Sequence, residues 1–346
     1  MAASVRVGII GATGYGGGEL IRLLSRHPGA QVVVLQARGR TDEPIDVSHP
    51  HLASTGLRIA DELPDGLDAV FLGLPHGAAA ALVPDLVDKG VAVIDLGPDF
   101  RLRDPADYPR WYRFEHPRPD LLGRAVYGLP ELHGDDLVAL RDADVRIVAS
   151  PGCYATASIL SLAPLARAGL IEDVVIDAKS GVSGAGRQAK PDMHFSEVNE
   201  SVKAYGIDGH RHVAEIEQEL GLAAGKRLAP VDFLPHLIPM TRGILAACHV
   251  WTTRPVEQAE LDDLFRGAYE GERFVEVVAT APATKHVTGS NLFRVFAHAD
   301  ARTGRTLVLG VLDNLVKGAA GQAIQAFNVL FGLPESSGLE QLPLVP

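Results

Sequence analysis

Short apolar runs, separated by glycine and polar residues, dominate the first 150 positions of the chain. Five of these runs predict buried strands: Val5–Ile10, Gln31–Ala37, Leu67–Leu74, Val91–Leu96 and Val145–Ser150. Gly16–Ser25 and Gly77–Lys89 have the spacing of helices, and Gly90 is placed to end the second of them. Strands that alternate with helices predict an α/β fold with a parallel, doubly wound sheet.

The pattern changes after a segment of loops and short elements, residues 97–144. Tyr154–Ala168 has helical spacing, and six later runs predict strands: Asp173–Ala178, Val231–Ile238, Gly243–Thr253, Phe274–Thr280, Leu292–Ala299 and Thr306–Leu312. Helices are expected between these strands only at Val213–Leu220 and Val256–Tyr269. A hairpin loop is expected at Asp300–Arg305. Successive strands with few helices predict an α+β domain with a mostly antiparallel sheet.

Composition narrows the classes of function. The chain has 346 residues, of which 47% are hydrophobic and 22% charged, so we expect about two globular domains. A formal net charge of -11 argues against nucleic acid as a partner, although local arginines can still bind an anionic substrate. No signal peptide is recognisable, and no apolar run reaches the roughly 18 residues of a membrane span. We therefore expect a cytoplasmic protein that does not contact a membrane.

Cysteine and histidine patterns indicate neither a disulfide framework nor a metal site. Cys153 and Cys248 are the two cysteines, and no C-x-x-C pair is present, which fits a reducing compartment. The local histidine pairs lack a third ligand at metal spacing. We expect no bound metal.

A glycine-rich loop follows the first predicted strand and opens the first predicted helix. Glycines in this position let the main chain approach a pyrophosphate, while the helix N-terminus offers free N–H groups and a positive dipole end. The loop therefore predicts a Rossmann-type dinucleotide-binding domain. The alternative is a tight turn that binds nothing. The residues expected to contact the cofactor here are Gly11, Thr13, Gly14, Tyr15 and Gly16.

Arginine follows the second predicted strand, where an NAD-specific site would carry Asp or Glu for the ribose hydroxyls. Arg38 and Arg40 occupy this region. A guanidinium suits the 2′-phosphate of NADPH. The sequence thus favours NADPH over NADH, the alternative being that both arginines are solvated loop residues.

Cys153 lies at the turn between a predicted strand and the helix that begins near Tyr154. A helix N-terminus favours the thiolate, which is the nucleophilic form of cysteine. We therefore predict that Cys153 is a nucleophile. The alternative is a small buried hydrophobic residue, which is the interpretation we give to Cys248 in the alternating strand Leu245–Trp251.

The residues around Cys153 form a recognisable motif. Val148-Ala-Ser-Pro-Gly-Cys-Tyr-Ala-Thr156 resembles the cysteine motif of N-acetyl-gamma-glutamyl-phosphate reductases, and Gly209-His-Arg-His212 resembles their histidine motif. Ala155 and Ala214 stand where family members often have proline. Further blocks that resemble the family occur in the same chain order: Gly11–Leu20, Leu74–Gly77, Asp95–Arg101, Tyr127–Glu131, Ser180–Arg187, Pro235–Pro239, Arg242-Gly243 and Asp313–Gly318.

The resemblance implies a semialdehyde-dehydrogenase fold with two domains. Residues 1–150 and 313–346, which include a last helix at Leu315–Leu330, would bind NADPH. Residues 151–312 would carry catalysis and dimerisation. The implied reaction, in arginine biosynthesis, reduces the acyl phosphate N-acetyl-L-glutamyl 5-phosphate to the aldehyde through a Cys153 thioester, in a homodimer or homotetramer.

The resemblance also assigns roles to individual residues. His212 is the first choice for the general acid–base and His210 the second. Besides the glycine loop and Arg38, the expected cofactor contacts are Pro75, Ser183, Gly184, Asn314 and Gly318. The expected substrate contacts are Arg101, Arg187, Arg242 and Glu131.

Other functions remain open from the sequence. An aspartate-semialdehyde dehydrogenase, or a reductase of carrier-linked aminoadipyl phosphate, would have the same architecture. A non-catalytic NADP-binding regulator could also use this fold, because a fold does not determine a function. The presence of both Cys153 and His212 argues against the regulator.

Overall fold

The computed structural model describes residues 4–345, which fold as two compact units. Within this range, the first unit consists of residues 4–151 and 319–340, and the second of residues 152–318 and 341–345. Cys153 therefore belongs to the second unit, directly after the chain enters it.

The regular elements agree well with the apolar pattern. The strands are β1 (Val5–Ile10), β2 (Ala30–Gln36), β3 (Ala69–Leu72), β4 (Ala92–Asp95), β5 (Ala125–Tyr127), β6 (Ile147–Ala149), β7 (Ile171–Gly181), β8 (Lys203–Ala204), β9 (Asp232–Ile238), β10 (Ile244–Thr252), β11 (Val275–Val277), β12 (Phe293–Asp300) and β13 (Arg305–Leu312). The α-helices are α1 (Tyr15–Leu24), α2 (Ile45–Ser48), α3 (Ala78–Asp88), α4 (Asp107–Tyr112), α5 (Pro130–Ala139), α6 (Cys153–Arg167), α7 (Phe195–Val198), α8 (His212–Ala224), α9 (Gln258–Ala268) and α10 (Gly321–Leu330). The short 3-10 helices are Pro50–Thr55, Pro119–Arg124, Leu140–Asp142, Val182–Ala185, Pro191–Met193 and Thr284–Val287, and Val316–Ala320 is a π-helix.

The first unit is built on a parallel sheet with the strand order β2-β1-β3-β4-β6-β5. This confirms the predicted doubly wound sheet. The central strands β3 and β4 are buried along their whole length, as expected for parallel strands covered on both faces. The sequence did not predict β5, because its three residues lie in the irregular segment 97–144.

The topology brings the glycine-rich loop to the middle of the sheet edge. β1 lies between β2 and β3. The chain therefore crosses from β1 to β2 on one side and then returns to β3 on the other side of β1. The N–H of Gly73, directly after β3, donates to the carbonyl oxygen of Ile10 at the end of β1. Ligands of open α/β sheets bind at such a switch point, beyond the carboxyl ends of the strands.

The second unit is built on a mixed sheet with the strand order β11-β12-β13-β10-β7-β9-β8. Four of its strand pairs are antiparallel, while β7–β9 and β11–β12 are parallel. The predicted mostly antiparallel sheet is confirmed, and so is the hairpin between β12 and β13.

Helices cover one face of this mixed sheet. α6 packs on β10, β13 and β7, and α9 packs on β12. Alternating positions on the strands point to the opposite face, and several apolar side chains there are only half-buried, including Leu234, Phe296, Leu307 and Leu309. Strand register places Leu309 beside Phe296. The uncovered face is therefore partly apolar.

Stability of the first unit should depend on pH through Asp95. Its side chain at the end of β4 is fully buried, and burial, followed by the charge of Asp99, raises its pKa to about 7. An aspartate in an unfolded chain titrates near about 3.9. Between these values the folded state keeps a proton that the unfolded state has lost, so the free energy of unfolding falls as pH rises.

We expect Asp95→Asn to remove this dependence. Its free energy of unfolding, relative to the wild type, should rise between pH 5 and pH 8 by about 1.4 kcal/mol for each pH unit from pH 5 up to the folded pKa of about 7, and little further above it. Urea denaturation at both pH values measures this difference. The exposed Asp65→Asn is the matched control and should show no such trend; a flat difference for Asp95→Asn would contradict the raised pKa.

Candidate active site

The glycine-rich loop forms a tight turn with an open helix N-terminus. Gly11 has a φ of +90°, and a Cβ there would lie 2.3 Å from the carbonyl oxygen of Gly73, so only glycine fits. Gly14 precedes α1, no side chain caps this helix, and its first turn contains no acidic residue. Tyr15 is 40% exposed. The first N–H groups of α1 therefore suit an anion such as a pyrophosphate.

In contrast, N–H groups at the N-terminus of α3 already have a side-chain partner. The buried carboxylate of Asp99 accepts the N–H groups of Gly77 at 2.9 Å and Ala80 at 3.0 Å. Pro75, a predicted cofactor contact, is exposed in the loop before this helix. Of these two helix N-termini, α1 is the one with amide groups left for a ligand.

The two arginines after β2 have different surroundings. Arg40 forms a salt bridge with Glu43, with 2.8 Å between Nη1 and Oε1. Arg38 is exposed. Arg38 therefore has the freer guanidinium for a phosphate at this loop.

Arg101 and Glu131 have partners inside the first unit. Arg101 is 8% exposed, and its Nε and Nη2 donate to the carbonyl oxygens of Ser150 and Leu96, both at 2.8 Å. Glu131 is 6% exposed and accepts a hydrogen bond from Gln325 of α10. These contacts favour structural roles for both residues, and substrate binding by them stays a prediction.

Cys153 is the first residue of α6, in a cleft of the second unit. Gly152 is the N-cap, and no side chain caps the helix. The cleft has a volume of about 280 Å³ and is lined by Cys153, Tyr154, Ser180, Gly184, Ala185, Lys190, Asp192, Met193, Lys203, Tyr205, His210, Arg211, His212 and Leu237. The half-buried thiol of Cys153 thus meets the positive end of a helix dipole, which favours its thiolate.

His212 packs against the turn that holds Cys153. A Cβ on Gly152 would lie 2.4 Å from His212 Nε2, so the imidazole occupies the space that a side chain at Gly152 would fill. Glu215 is fully buried one turn along α8, and its Oε2 accepts the N–H of Gly152 at 2.9 Å. Its Oε1 lies 3.9 Å from His212 Nε2. The carboxylate thereby ties the start of α6 to the start of α8.

His210 lies beside His212 but is poorly suited to proton transfer. Burial, and then the charge of Arg211, lower its pKa to about 4. Its Nδ1 accepts the N–H of His212 at 3.2 Å, and its ring packs edge-on against Tyr154 and Tyr205. His210 is therefore neutral at pH 7 and supports the start of α8.

Several predicted cofactor residues cluster in the second unit. Ser183 Oγ accepts a hydrogen bond from Asn314 Nδ2 at 2.9 Å, and Asn314 Oδ1 accepts the N–H of Gly243 at 2.8 Å. Gly184 follows Ser183 in the same turn and lines the cleft. Gly318 packs directly on Cys153, because a Cβ there would lie 2.8 Å from the Cys153 Cβ.

Two of the arginines predicted to bind substrate also belong to this unit. Arg187 is exposed in the loop after the Ser183 turn. Arg242 is partly exposed, with its Nη1 3.5 Å from Oδ2 of the buried Asp313. Neither is among the residues that line the cleft.

The sequence did not reveal the cations that do line the cleft. Lys190, Lys203 and Arg211 come from three separate segments. Only Arg211 lay inside a recognised motif, between His210 and His212, and nothing in the spacing of the two lysines marks them. Lys203 reaches the cleft through the pairing of β8 with β9, which the sequence pattern does not specify.

Cys248 differs from Cys153 in every respect that matters for reactivity. It is fully buried in β10, and burial raises the pKa of its thiol to about 12. A neutral buried thiol is a poor nucleophile. This agrees with its interpretation as a core residue.

The described residues contain neither a membrane-spanning helix nor a metal-binding cluster. None of the helices within residues 4–345 is long and apolar enough to cross a membrane. Over the same range, no three or more His, Cys, Asp or Glu side chains are grouped so that they could hold a metal ion.

We expect Gly318→Ala to disturb the start of α6. The added methyl would lie 2.8 Å from Cβ and 3.3 Å from Cα of Cys153, atoms that move only with the helix. Such overpacking should lower the free energy of unfolding by about 1–3 kcal/mol and change the rate at which iodoacetamide alkylates Cys153. Gly267→Ala in α9, where nothing lies within 4 Å, is the control and should be neutral or stabilising. Equal behaviour of the two variants would refute the contact.

Comparison with known proteins gives two matching family models that together span most of the chain. Residues 6–140 match the semialdehyde dehydrogenase NAD binding domain, and residues 153–314 match the semialdehyde dehydrogenase dimerisation domain. Among solved structures, aspartate semialdehyde dehydrogenase II from Vibrio cholerae, complexed with ASA, has a TM-score of 0.73 at 19% identity, covering 96% of this chain and 99% of its own. The enzyme from Candida albicans with NADP has a TM-score of 0.68 at 18% identity, covering 95% and 99%. These structures share the fold.

Several curated relatives are more similar to this chain in sequence than these solved structures are. The N-acetyl-gamma-glutamyl-phosphate reductase of Symbiobacterium thermophilum is 50% identical over 97% of both chains. Those of Dehalococcoides mccartyi and Heliobacterium modesticaldum are 44% and 46% identical, covering 99% of this chain and 99% and 100% of their own. With identity at this level from end to end, the chain belongs to the N-acetyl-gamma-glutamyl-phosphate reductase family.

Proposed function

We propose that this chain reduces N-acetyl-L-glutamyl 5-phosphate to N-acetyl-L-glutamate 5-semialdehyde and phosphate in arginine biosynthesis, with NADPH as reductant and Cys153 as nucleophile. The relatives named for this activity support the assignment of this substrate. The observation that carries the chemistry is the position of Cys153. It opens α6 with no side-chain cap, and the imidazole of His212 lies against the preceding residue.

Covalent catalysis follows from this arrangement. The Cys153 thiolate attacks the carbonyl carbon of the acyl phosphate, the C–O bond to phosphate breaks, and a thioester forms. The main-chain N–H groups after Gly152, at the start of α6, would stabilise the negative charge that develops on the carbonyl oxygen. The thioester keeps the carbon electrophilic while the enzyme holds the acyl group.

The first unit has the features that a dinucleotide requires. The uncapped N-terminus of α1 would hold the pyrophosphate, and the exposed Arg38 the 2′-phosphate. Alanine could not replace Gly11 without striking Gly73, so the turn that presents these amides depends on glycine. When bound, NADPH supplies the hydride that reduces the thioester. The remaining predicted contacts, including Ser183, Asn314 and Gly318, are part of the same proposal.

His212 is our choice for the general acid–base. Collapse of the thiohemiacetal to the aldehyde needs a proton on sulfur and loss of the hydroxyl proton, and an imidazole beside the turn of Cys153 can move both. Glu215 supports this role because its buried carboxylate lies 3.9 Å from Nε2. His210, with a pKa near 4, would be a weak base at neutral pH.

We further propose that the protein acts as a homodimer or homotetramer in the cytoplasm. The half-buried apolar side chains on the uncovered face of the mixed sheet, such as Phe296 and Leu309, support an interface there. The family model for this unit is named for dimerisation. Free thiols at Cys153 and Cys248 suit a reducing compartment.

We expect Cys153→Ser to abolish thioester chemistry. In single-turnover assays with N-acetyl-L-glutamyl 5-phosphate and NADPH, aldehyde formation should fall at least about a thousandfold, because a serine hydroxyl is not ionised at neutral pH. Cys248→Ser is the control and should keep most of the activity. Unimpaired aldehyde formation by Cys153→Ser would remove the covalent route. Turnover of aspartate semialdehyde in the reverse direction, in place of the N-acetyl-glutamyl compound, would reassign the substrate.

We expect Arg38→Asp to weaken the binding of NADPH more than the binding of NADH. The KM for NADPH should rise at least about tenfold, since the change removes a charge-assisted bond to the 2′-phosphate and adds a repulsive carboxylate. Steady-state kinetics with both cofactors measure the ratio. Arg40→Asp is the matched control, because Arg40 is already paired with Glu43. An equal rise in the KM for NADPH and for NADH would show that Arg38 does not bind the 2′-phosphate.

A further inference from the structure

The cleft beside Cys153 has a cationic lining that the proposed chemistry does not use. Lys190, Lys203 and Arg211 line it, and Asp192 is the one carboxylate among the described lining residues. The chain as a whole has a formal net charge of -11. The cleft thus has a local charge opposite to that of the protein and attracts anions.

Strand register separates Lys203 from the nucleophile. Ser180 of β7 pairs with Leu237 of β9, and Leu237 pairs with Lys203 of β8. All three residues line the cleft. Because neighbouring strands lie about 4.8 Å apart, the main chains of Ser180 and Lys203 are about 10 Å apart. α6, which begins at Cys153, packs on β7 but has no such packing on the edge strand β8 within the described residues.

Lys203 is available to a ligand. Its partner within the cleft is Asp192, with 3.9 Å between Nζ and Oδ2, and the two side chains are 62% and 54% exposed. An ion pair this long and this exposed contributes little. A carboxylate that enters the cleft can therefore take the place of Asp192 at small cost.

Apolar and aromatic side chains lie between the two ends of the cleft. Leu237 occupies the strand between Ser180 and Lys203, and Met193 and Tyr205 also line the wall. Such a wall suits the methylene groups that join a reacting carbonyl to a second, distant anion. It does not suit a phosphoryl group, which is bonded directly to the reacting carbonyl and so must lie beside Cys153.

From this geometry we infer that Lys203, together with Lys190 two residues from its partner Asp192, binds the α-carboxylate of the substrate, the anionic group that is not transferred. The inference rests on the proposed function. It assigns recognition of the carboxylate to residues outside the four initially predicted substrate contacts. The carboxylate stays bound while phosphate leaves and the thioester is reduced, so the same cations hold substrate, intermediate and aldehyde product.

The reverse reaction tests this, because aldehyde and inorganic phosphate then enter as separate reactants. Lys203→Met should raise the KM for N-acetyl-L-glutamate 5-semialdehyde about fivefold, and the double variant Lys190→Met/Lys203→Met about twentyfold, with the KM for phosphate unchanged. Asp192→Asn should lower the KM for the aldehyde, since it removes a competing carboxylate. Lys226→Met, an exposed lysine of the same unit, is the charge-matched control and should change neither KM.

Two outcomes would overturn the inference. A rise in the KM for phosphate, with the KM for the aldehyde unchanged, would assign the lysines to the phosphoryl group. Equal affinity of the wild type and the double variant for N-acetyl-L-glutamate, measured by calorimetry, would show that they do not bind the carboxylate. The calorimetric measurement does not require turnover, so it separates failure of this inference from failure of the proposed reaction.

Discussion

The missing side chain at Gly152 is the constraint on which the candidate site depends. It leaves room for the imidazole of His212 directly against the turn before Cys153, where any Cβ would come within 2.4 Å of Nε2. The main-chain N–H of the same glycine is bonded to the buried carboxylate of Glu215. One residue without a side chain thereby joins two helix starts, and the sulfur and the imidazole keep a fixed relation because both helices are anchored to it.

The first unit uses helix N-termini in two opposite ways. At α3 the buried carboxylate of Asp99 satisfies the free amides, so this end is part of the core. At α1 the amides after Gly14 are left without a side-chain cap. Uncapped amides cost stability unless a ligand or water meets them. The contrast within one sheet supports α1 as the place where an anion is expected.

Local patterns in the sequence predicted most of the fold, because a buried strand or a helix that ends at glycine can be recognised from a few consecutive residues. The strand β5 was missed, since three residues are too few to show a period. Cys153 and His212 were found through motifs that surround them. Lys203 was not, because its approach to the cleft depends on pairing with β9, and pairing is a property of distant segments. Burial likewise decides the surroundings of Arg101, which the family resemblance presented as a substrate contact.

The different environments of the two thiols have a practical consequence. Cys248 is buried in β10, where burial raises the pKa of its thiol to about 12, whereas Cys153 is half-buried at the N-terminus of α6. Of the two thiols, an electrophilic probe added to the native protein at neutral pH can reach that of Cys153. A fluorophore or an isotopic label can therefore be attached at the reacting position without first removing a competing cysteine, and the same selectivity gives covalent inhibitors a single point of attachment.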